Sequence, residues 1–338
     1  MTTIGRGDEF LALAQPYRRE LFAHCYRMLG SVHDAEDVLQ EALVRAWRGY
    51  DRFEGRSSLR TWLHRIVTTT CLTALEGRTR RPTPAGLDGA SADPDDPLRT
   101  DPEIAWLEPV PDSAVDLCPG ADPAATVTAR ATVRLAFVAA LQHLPARQRA
   151  VLLLREVLQW RASEVADLLD TSVAGVNSAL QRARDRLAAV GPSEDDAVAP
   201  LTARQQELLD CYVAAFEVKD VTGIVSLLAA DVRWEMPPHR AWYRGRAHVA
   251  RHLDVRCPGG PGDLRLLPVA ANGQPGFALY LRDRGTGGDG VFRPFALQVL
   301  TLGPEQITHV ATFLGDALFA TFGLGPVAGS RAATGPAR

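Results

Sequence analysis

The organisation of this chain is decided by residues 31–81, SVHDAEDVLQEALVRAWRGYDRFEGRSSLRTWLHRIVTTTCLTALEGRTRR. Apolar residues return at three- and four-residue steps, which predicts two amphipathic helices, Ser31–Trp47 and Leu59–Arg81. Ser31 is a suitable N-cap, and acidic residues follow it in the first turns. By contrast, residues 52–81 carry seven Arg against two Glu. The second helix is therefore a candidate phosphate-binding surface.

The flanking sequence predicts further helical and linker segments. Residues 8–29 are predicted to form one helix that ends at Gly30, which completes a helical domain over residues 1–81. An acidic linker over residues 82–125 is rich in Pro, Gly and Asp. Its apolar island, Ile104–Val110, is either a docking point or a loosely packed turn.

The formal net charge of −3 is distributed unevenly along the 338 residues. Residues 1–81 carry +3 and residues 128–190 carry +4, whereas residues 82–127 carry −9. Residues 191–338 are nearly balanced at −1. Two basic segments are therefore joined by an acidic one.

A helix-turn-helix is predicted within residues 126–190. A short helix over Ala162–Leu169 precedes a three-residue turn, and a second helix follows from Val173 to Leu187 with Ser172 as its N-cap. A linker at residues 191–200 then leads to residues 201–325, where two helices precede strand-like runs. We expect an α+β domain there, followed by a tail over residues 326–338. The predicted fold is multidomain, with two all-α domains and one α+β domain.

Two blocks of sequence resemble the extracytoplasmic-function sigma factors of the sigma-70 family. Region two of that family is similar to YRRELFAHCYRMLGSVHDAEDVLQEALVRAW followed by FEGRSSLRTWLHRIVTTTCL. Region four is similar to LPARQRAVLLLREVLQWRASEVADLLDTSVAGVNSALQRARDRL. The C-terminal VRWEMPPHRAWYRGRAHVARHL resembles the SnoaL-like extension, a nuclear-transport-factor-2-like cone. The resemblance implies a promoter-specificity subunit of RNA polymerase that is modulated by its own C-terminal domain.

The resemblance also implies residue roles. Core polymerase would be bound by the first helix through Asp34, Asp37, Leu39, Gln40 and Glu41. The minus-ten promoter element would be contacted by Arg60, His64, Arg65, Thr68, Thr69, Arg78 and Arg80. The minus-thirty-five element would be contacted by Ser172, Ala174, Asn177, Ser178, Gln181, Arg182 and Arg184. In sigma factors the acidic linker threads basic channels of the polymerase; simple solubility of a linker is the alternative.

The C-terminal domain carries the least specific pattern. Aromatic and polar residues suggest a candidate pocket in the cone, lined by Trp234, Met236, Trp242, Tyr243, Tyr280, His309 and Phe313. Two alternatives to a sigma factor stay open. One is a helix-turn-helix regulator that does not act through core polymerase, and the other is a SnoaL-type enzyme with a DNA-binding appendage.

Five cysteines are far apart and lack any metal-ligand spacing, so we expect neither a structural zinc site nor a cofactor. No secretory pattern and no apolar run of membrane-spanning length occurs in the sequence. A non-enzymatic cytoplasmic protein without a membrane partner is expected. Its expected partners are core RNA polymerase and promoter DNA, with an anti-sigma factor or a small-molecule ligand as candidates.

Overall fold

The computed structural model describes residues 6–91, 93–115, 131–190, 201–284 and 290–326. These residues form two compact units. The first unit combines Met1–Pro82 with Leu107–Val198, and the second combines Thr83–Trp106 with Ala199–Arg338. The predicted linker at residues 191–200 lies outside the described residues, as do residues 126–130 and all but the first residue of the predicted tail.

The first unit is helical. Its elements are α1 (Arg6–Ala14), α2 (Arg18–Leu29), α3 (Val32–Gly49), α4 (Leu59–Leu75), α5 (Leu135–Leu141), α6 (Ala146–Leu152), α7 (Ala162–Leu169) and α8 (Val173–Val190). Ser31 caps α3 by accepting a hydrogen bond from the Asp34 amide, as predicted. Ser172 likewise accepts a hydrogen bond from the Gly175 amide at 3.0 Å. Both serines therefore begin the helices that the sequence predicted from them.

Two helix boundaries were predicted incorrectly. The single helix predicted over residues 8–29 is interrupted by a 3₁₀ turn at Gln15–Tyr17, because Pro16 cannot donate the hydrogen bond that a continuous α-helix requires. The helix predicted to run to Arg81 ends at Leu75, and Gly77 follows with a φ of 72°. Arg78 and Arg80 therefore lie beyond α4.

The apolar island between the two helical domains is docked within the first unit. Leu107 and Val110 are buried. The Leu107 amide donates to the Pro82 carbonyl at 3.1 Å, and the Glu108 amide donates to the Gly30 carbonyl at 3.0 Å. From Leu107 onward, the structure supports a docking point and not a loosely packed turn. Ile104 to Trp106 belong to the second unit.

The second unit is α+β, as predicted. Its elements are α9 (Ala203–Glu217), α10 (Val221–Ser226), β1 (Leu228–Glu235), β2 (Trp242–Arg244), α11 (Arg246–Arg256), β3 (Leu264–Ala271), β4 (Gln274–Arg282), β5 (Phe292–Leu302) and β6 (Ile307–Leu314). The strands form one sheet in the order β2-β1-β6-β5-β4-β3. The strand pairs are antiparallel except β1 with β6. Helices α9 to α11 supply residues to the core on one face of this sheet.

One part of the acidic linker belongs to this second unit. We call residues 84–101 the strap. The strap meets the sheet at its β2 edge, where the Ser91 amide donates to the Trp242 carbonyl at 2.8 Å. The sequence predicted a free linker here, because five Asp and several Pro residues interrupt any hydrophobic period. The pairing escaped prediction because it uses backbone groups, which carry no sequence signal.

Candidate functional site

Helix α3 presents one exposed stripe to solvent. Asp37, Gln40, Glu41 and Val44 are all exposed, and Trp47 extends the stripe by one turn with 52% of its surface accessible. The spacing of three and four residues places them on one helix face. The opposite face is buried. The stripe therefore combines carboxylates, an amide and an exposed indole.

Asp34 and Trp47 lie elsewhere than expected, whereas Leu39 is buried as its place in the apolar repeat predicts. Leu39 is fully buried in the helical core, so it supports the stripe from beneath and makes no surface contact. Asp34 accepts hydrogen bonds from Arg78 at 2.9 Å and from Arg81 at 2.6 Å. Trp47 ends the apolar repeat of Ser31–Trp47, yet 52% of its surface is exposed.

The start of α3 is held by a residue that the sequence analysis did not single out. The Glu108 carboxylate accepts hydrogen bonds from the Ser31 hydroxyl at 2.7 Å and from the Val32 amide at 2.9 Å. His33 Nδ1 lies 3.1 Å from the same oxygen. A carboxylate at this position satisfies unpaired amides and favours the positive end of the helix dipole. Its distance of about 75 residues along the chain explains why no local pattern indicated it.

The outer face of α4 is formed by Arg65, Thr69 and Thr73, which follow one another at four-residue steps and are half-buried or exposed. The Thr69 hydroxyl donates to the Arg65 carbonyl at 2.9 Å. Arg60 is exposed at the start of the helix and forms an ion pair with Glu20. These side chains form the accessible polar edge of the predicted minus-ten surface.

Two residues expected on that surface are instead buried. His64 and Thr68 are both 0% exposed. Thr68 hydrogen-bonds His24 at 2.9 Å, and His64 lies 3.2 Å from a Glu20 oxygen. The His64 ring also meets the Trp160 ring edge-on, with 6.4 Å between centroids. In this conformation neither residue is available to a nucleic acid.

The electrostatics of this cluster are set by burial and by hydrogen bonds. Burial alone would raise the pKa of Glu20, but hydrogen bonds from His64 and Arg60 outweigh it and lower that pKa to about 2. Burial lowers the pKa of His24 well below its ordinary value, and the neighbouring His64 adds to the effect. The cluster therefore contains an ionised carboxylate and a neutral imidazole at neutral pH.

The predicted contacts that follow α4 are engaged within the first unit. Arg78 pairs with Asp34. Arg80 Nη1 lies 2.7 Å from His143 Nδ1. The sequence analysis placed both arginines with the second helix because the basic segment extends to Arg81; Gly77 ends the helix before them.

Helix α8 is the second helix of the predicted helix-turn-helix, and its outer face is free of core contacts. The predicted residues on it are all exposed: Ser172, Ala174, Asn177, Ser178, Gln181, Arg182 and Arg184. Val176, Leu180 and Ala183 are buried on the other face. Arg182 donates to the Ser178 hydroxyl at 2.7 Å, and Gln181 donates to Asp185 at 2.8 Å. Six of the predicted residues thus share the exposed side of α8, where Arg184 also pairs with Glu156, and Ser172 precedes the helix as its N-cap.

The seven residues of the predicted C-terminal pocket do not converge. Trp234, Met236 and Tyr243 belong to the core on the helix-covered face, where Trp234 stacks on Phe216. The remaining four lie on the opposite face of the sheet: Trp242, Tyr280, His309 and Phe313. Strand alternation separates the two groups, since Glu235 pairs with Trp242 while Trp234 pairs with Tyr243. The prediction of one pocket was therefore wrong.

Within the described ranges, no group of three or more His, Cys, Asp or Glu side chains is arranged to hold a metal ion. None of the described helices combines the length and apolar character needed to cross a bilayer.

Comparison with known proteins identifies both helical segments. The family description "Sigma-70 region 2" matches residues 13–81, and "Sigma-70, region 4" matches residues 134–187. The ECF RNA polymerase sigma factor SigG of Mycobacterium tuberculosis is 54% identical over 94% of this chain and 84% of its own length. SigW of Bacillus subtilis is 28% identical over 54% of this chain and 89% of its own. The crystal structure of the Mycobacterium tuberculosis extracytoplasmic function sigma factor SigJ matches with a TM-score of 0.60 and 23% identity, covering 93% of this chain and all of that one.

Proposed function

Because the chain belongs to the extracytoplasmic-function RNA polymerase sigma factors, we propose that it binds core polymerase through α3 and reads two promoter elements through α4 and α8. The observation that carries the proposal is the outer face of α8, where six predicted residues are exposed above a buried apolar stripe. A helix of this kind in the major groove reads base edges with its amides and hydroxyls and holds phosphates with its arginines.

The exposed stripe of α3 supplies the contact with core polymerase. Its carboxylates, Asp37 and Glu41, give orientation and association rate through charge complementarity. Val44 and Trp47 give the apolar contact that carries affinity, because aromatic anchors dominate such interfaces. Asp34 acts indirectly by holding Arg78 and Arg81 against the helix start.

The minus-ten element is contacted through the polar edge Arg65, Thr69 and Thr73, together with Arg60 at the helix start. Relatives usually carry Asn and Asp where this chain has Thr69 and Thr73. A threonine hydroxyl is both donor and acceptor, so it discriminates less between bases than a bidentate amide. We therefore expect a relaxed sequence preference at this element.

The C-terminal unit regulates this activity and catalyses no reaction of its own. Its aromatic residues fill the core, as the stacking of Trp234 on Phe216 and of Tyr212 on Phe277 illustrates. The acidic linker is drawn to the nucleic-acid-holding surfaces of the polymerase by its charge of −9 over residues 82–127. An anti-sigma factor is a further candidate partner.

Run-off transcription with purified core polymerase tests this function. The full chain is expected to give promoter-dependent transcripts. Trp47→Ser and Asp37→Lys are each expected to weaken core binding about tenfold. Val218→Ser and Glu207→Lys, which change equally exposed residues of the C-terminal unit, are the matched controls. A helix-turn-helix regulator that acts without polymerase would give no promoter-dependent transcript, and an enzyme would turn over substrate without DNA.

A further inference from the structure

The strap lies along the β2 edge of the C-terminal sheet and contacts it through isolated backbone hydrogen bonds. Its Ser91 amide donates to the Trp242 carbonyl of β2 at 2.8 Å, and its Arg99 carbonyl accepts from the Arg240 amide at 3.2 Å. Thr100 forms an antiparallel bridge with His239. Because β2 is the outermost strand, its free backbone groups would otherwise face solvent.

The same edge carries arginines that match the strap carboxylates. Arg240 pairs with Asp88 at 2.9 Å and approaches Asp101 at 3.5 Å. Arg251 pairs with Asp95 at 2.8 Å. The strap has five Asp and one Arg over residues 84–101, a net charge of −4. The edge therefore selects an acidic segment by charge as well as by backbone pairing.

Near its N-terminal end the strap contacts a buried carboxylate. Glu235 is 2% exposed, and its carboxylate accepts a hydrogen bond from the Ala85 amide of the strap at 3.2 Å. The Trp242 indole donates to the Asp88 carbonyl at 2.9 Å. Burying a carboxylate without such partners costs free energy. His309 also lies near the Glu235 carboxylate. Losing the strap would thus leave Glu235 less satisfied.

The contact is nevertheless built to be reversible. The ion-paired side chains are about half exposed, and exposed ion pairs are individually weak. A cleft of about 380 Å³ remains between the strap and the domain, lined by Asp88, Ser91, Asp96, Arg99, Arg240 and Tyr243. Close packing would have left no such space.

We propose that the C-terminal unit is a receptor for an acidic peptide segment, that its resident occupant is the strap, and that strap capture competes with core polymerase. This inference deepens the proposed function and rests on it for the competition with polymerase. While the C-terminal unit binds the strap, the acidic linker cannot contact basic surfaces of the polymerase. The C-terminal unit therefore lowers initiation, and release of the strap raises it.

Hydrogen exchange of the full chain measures capture directly, because the amides of Ser91 and Arg240 are hydrogen-bonded across the contact. Arg251→Glu is expected to speed their exchange about two- to fivefold, the effect of one exposed ion pair. The charge swap Arg251→Glu with Asp95→Arg is expected to restore the original rates. Arg204→Glu, which breaks the exposed pair with Glu207 in the same unit, is the control and should leave both amides unchanged. Exchange within β5 reports whether the sheet itself stays folded.

Addition of core polymerase tests the competition. Both amides are expected to exchange faster in the holoenzyme, and Arg251→Glu is expected to raise run-off transcription about two- to fivefold at limiting chain. Binding of the strap by the C-terminal unit is refuted if Arg251→Glu and Arg204→Glu give the same amide exchange rates. It is also refuted if the charge swap Arg251→Glu with Asp95→Arg fails to restore the original rates. Competition is overturned if the strap stays equally protected in the holoenzyme. A wild-type chain that gives no promoter-dependent transcript would contradict the proposed function instead, while exchange in the free chain still decides capture.

Discussion

The guanidinium of Arg149 donates a hydrogen bond to the main-chain carbonyl of Met28, 121 positions earlier in the chain. Met28 lies in the last turn of α2, where carbonyls have no partner within the helix. Arg149 also donates to the Gln142 side chain at 2.7 Å and to the Leu144 carbonyl at 3.1 Å. A residue of the region-four domain thus completes the end of a region-two helix, and the two regions share one compact unit.

Replacing Arg149 tests this link. Arg149 is 4% exposed, and burial lowers its pKa to about 10 without making it neutral at physiological pH. Arg149→Met keeps much of the side-chain volume but leaves several buried carbonyls unpaired. We expect the free energy of unfolding to fall by about 1–3 kcal/mol. Urea unfolding of the full chain measures it, with Arg204→Met as the surface control. Equal midpoints for the two variants would refute the link.

The second prediction concerns the cap on α3, the helix that we propose binds core polymerase. Glu108→Ala removes the acceptor for the Ser31 hydroxyl and the Val32 amide, so the start of α3 should fray. We expect a loss of about 1–2 kcal/mol in stability. Weaker core binding should accompany it, because Asp37 follows within two turns. Glu103→Ala, in the same linker, is the matched control. Thermal unfolding and core-polymerase titration are the measurements, and unchanged values in both would contradict the cap.

The third prediction is a pH dependence. The pKa of Glu20 is about 2 in the folded chain against an ordinary value of 4.5, since its bonds to His64 and Arg60 outweigh burial. This group therefore contributes stability that is complete above pH 4.5 and is lost as pH falls towards 2. The carboxylate is one-third exposed, so screening reduces the contribution to about 1–2 kcal/mol. Glu20→Gln should reduce the change in the urea-unfolding midpoint between pH 6 and pH 3. A variant that keeps the full wild-type slope would show that Glu20 is not responsible.

The sequence predicted secondary-structure elements well where a single local feature, such as an N-cap serine or an apolar repeat, determined the element. Ser31 and Ser172 marked helix starts, and the bounds of α7 agree with the predicted Ala162–Leu169. The periodicity missed the break at Pro16. It also missed β2, which is three residues long and therefore too short to show alternation.

The candidate-site residues also differ in whether a local pattern or contacts with distant residues determine their position. The α8 surface was predictable because one helical face carries every residue of it. His64 and Thr68 were misplaced because their burial depends on Glu20, His24 and Trp160, which lie far away in sequence. The pocket residues were misplaced because adjacent strand positions such as Trp234 and Glu235 face opposite ways. Glu108 and Arg149 were missed since buried charges paired over long separations leave no local pattern.

We expect that one chain contacts two promoter elements only when it is bound to core polymerase. DNase I footprinting of a promoter occupied in cells, with the full chain and core polymerase, tests it most directly. We predict protection of two separated elements with polymerase and none with the chain alone. Asn177→Ala combined with Gln181→Ala should lower occupancy of the upstream element about tenfold or more and leave the downstream contacts in place, whereas Arg204→Ala should change neither. Equal protection by the chain without polymerase, or an upstream footprint that survives the α8 substitutions, would contradict the account.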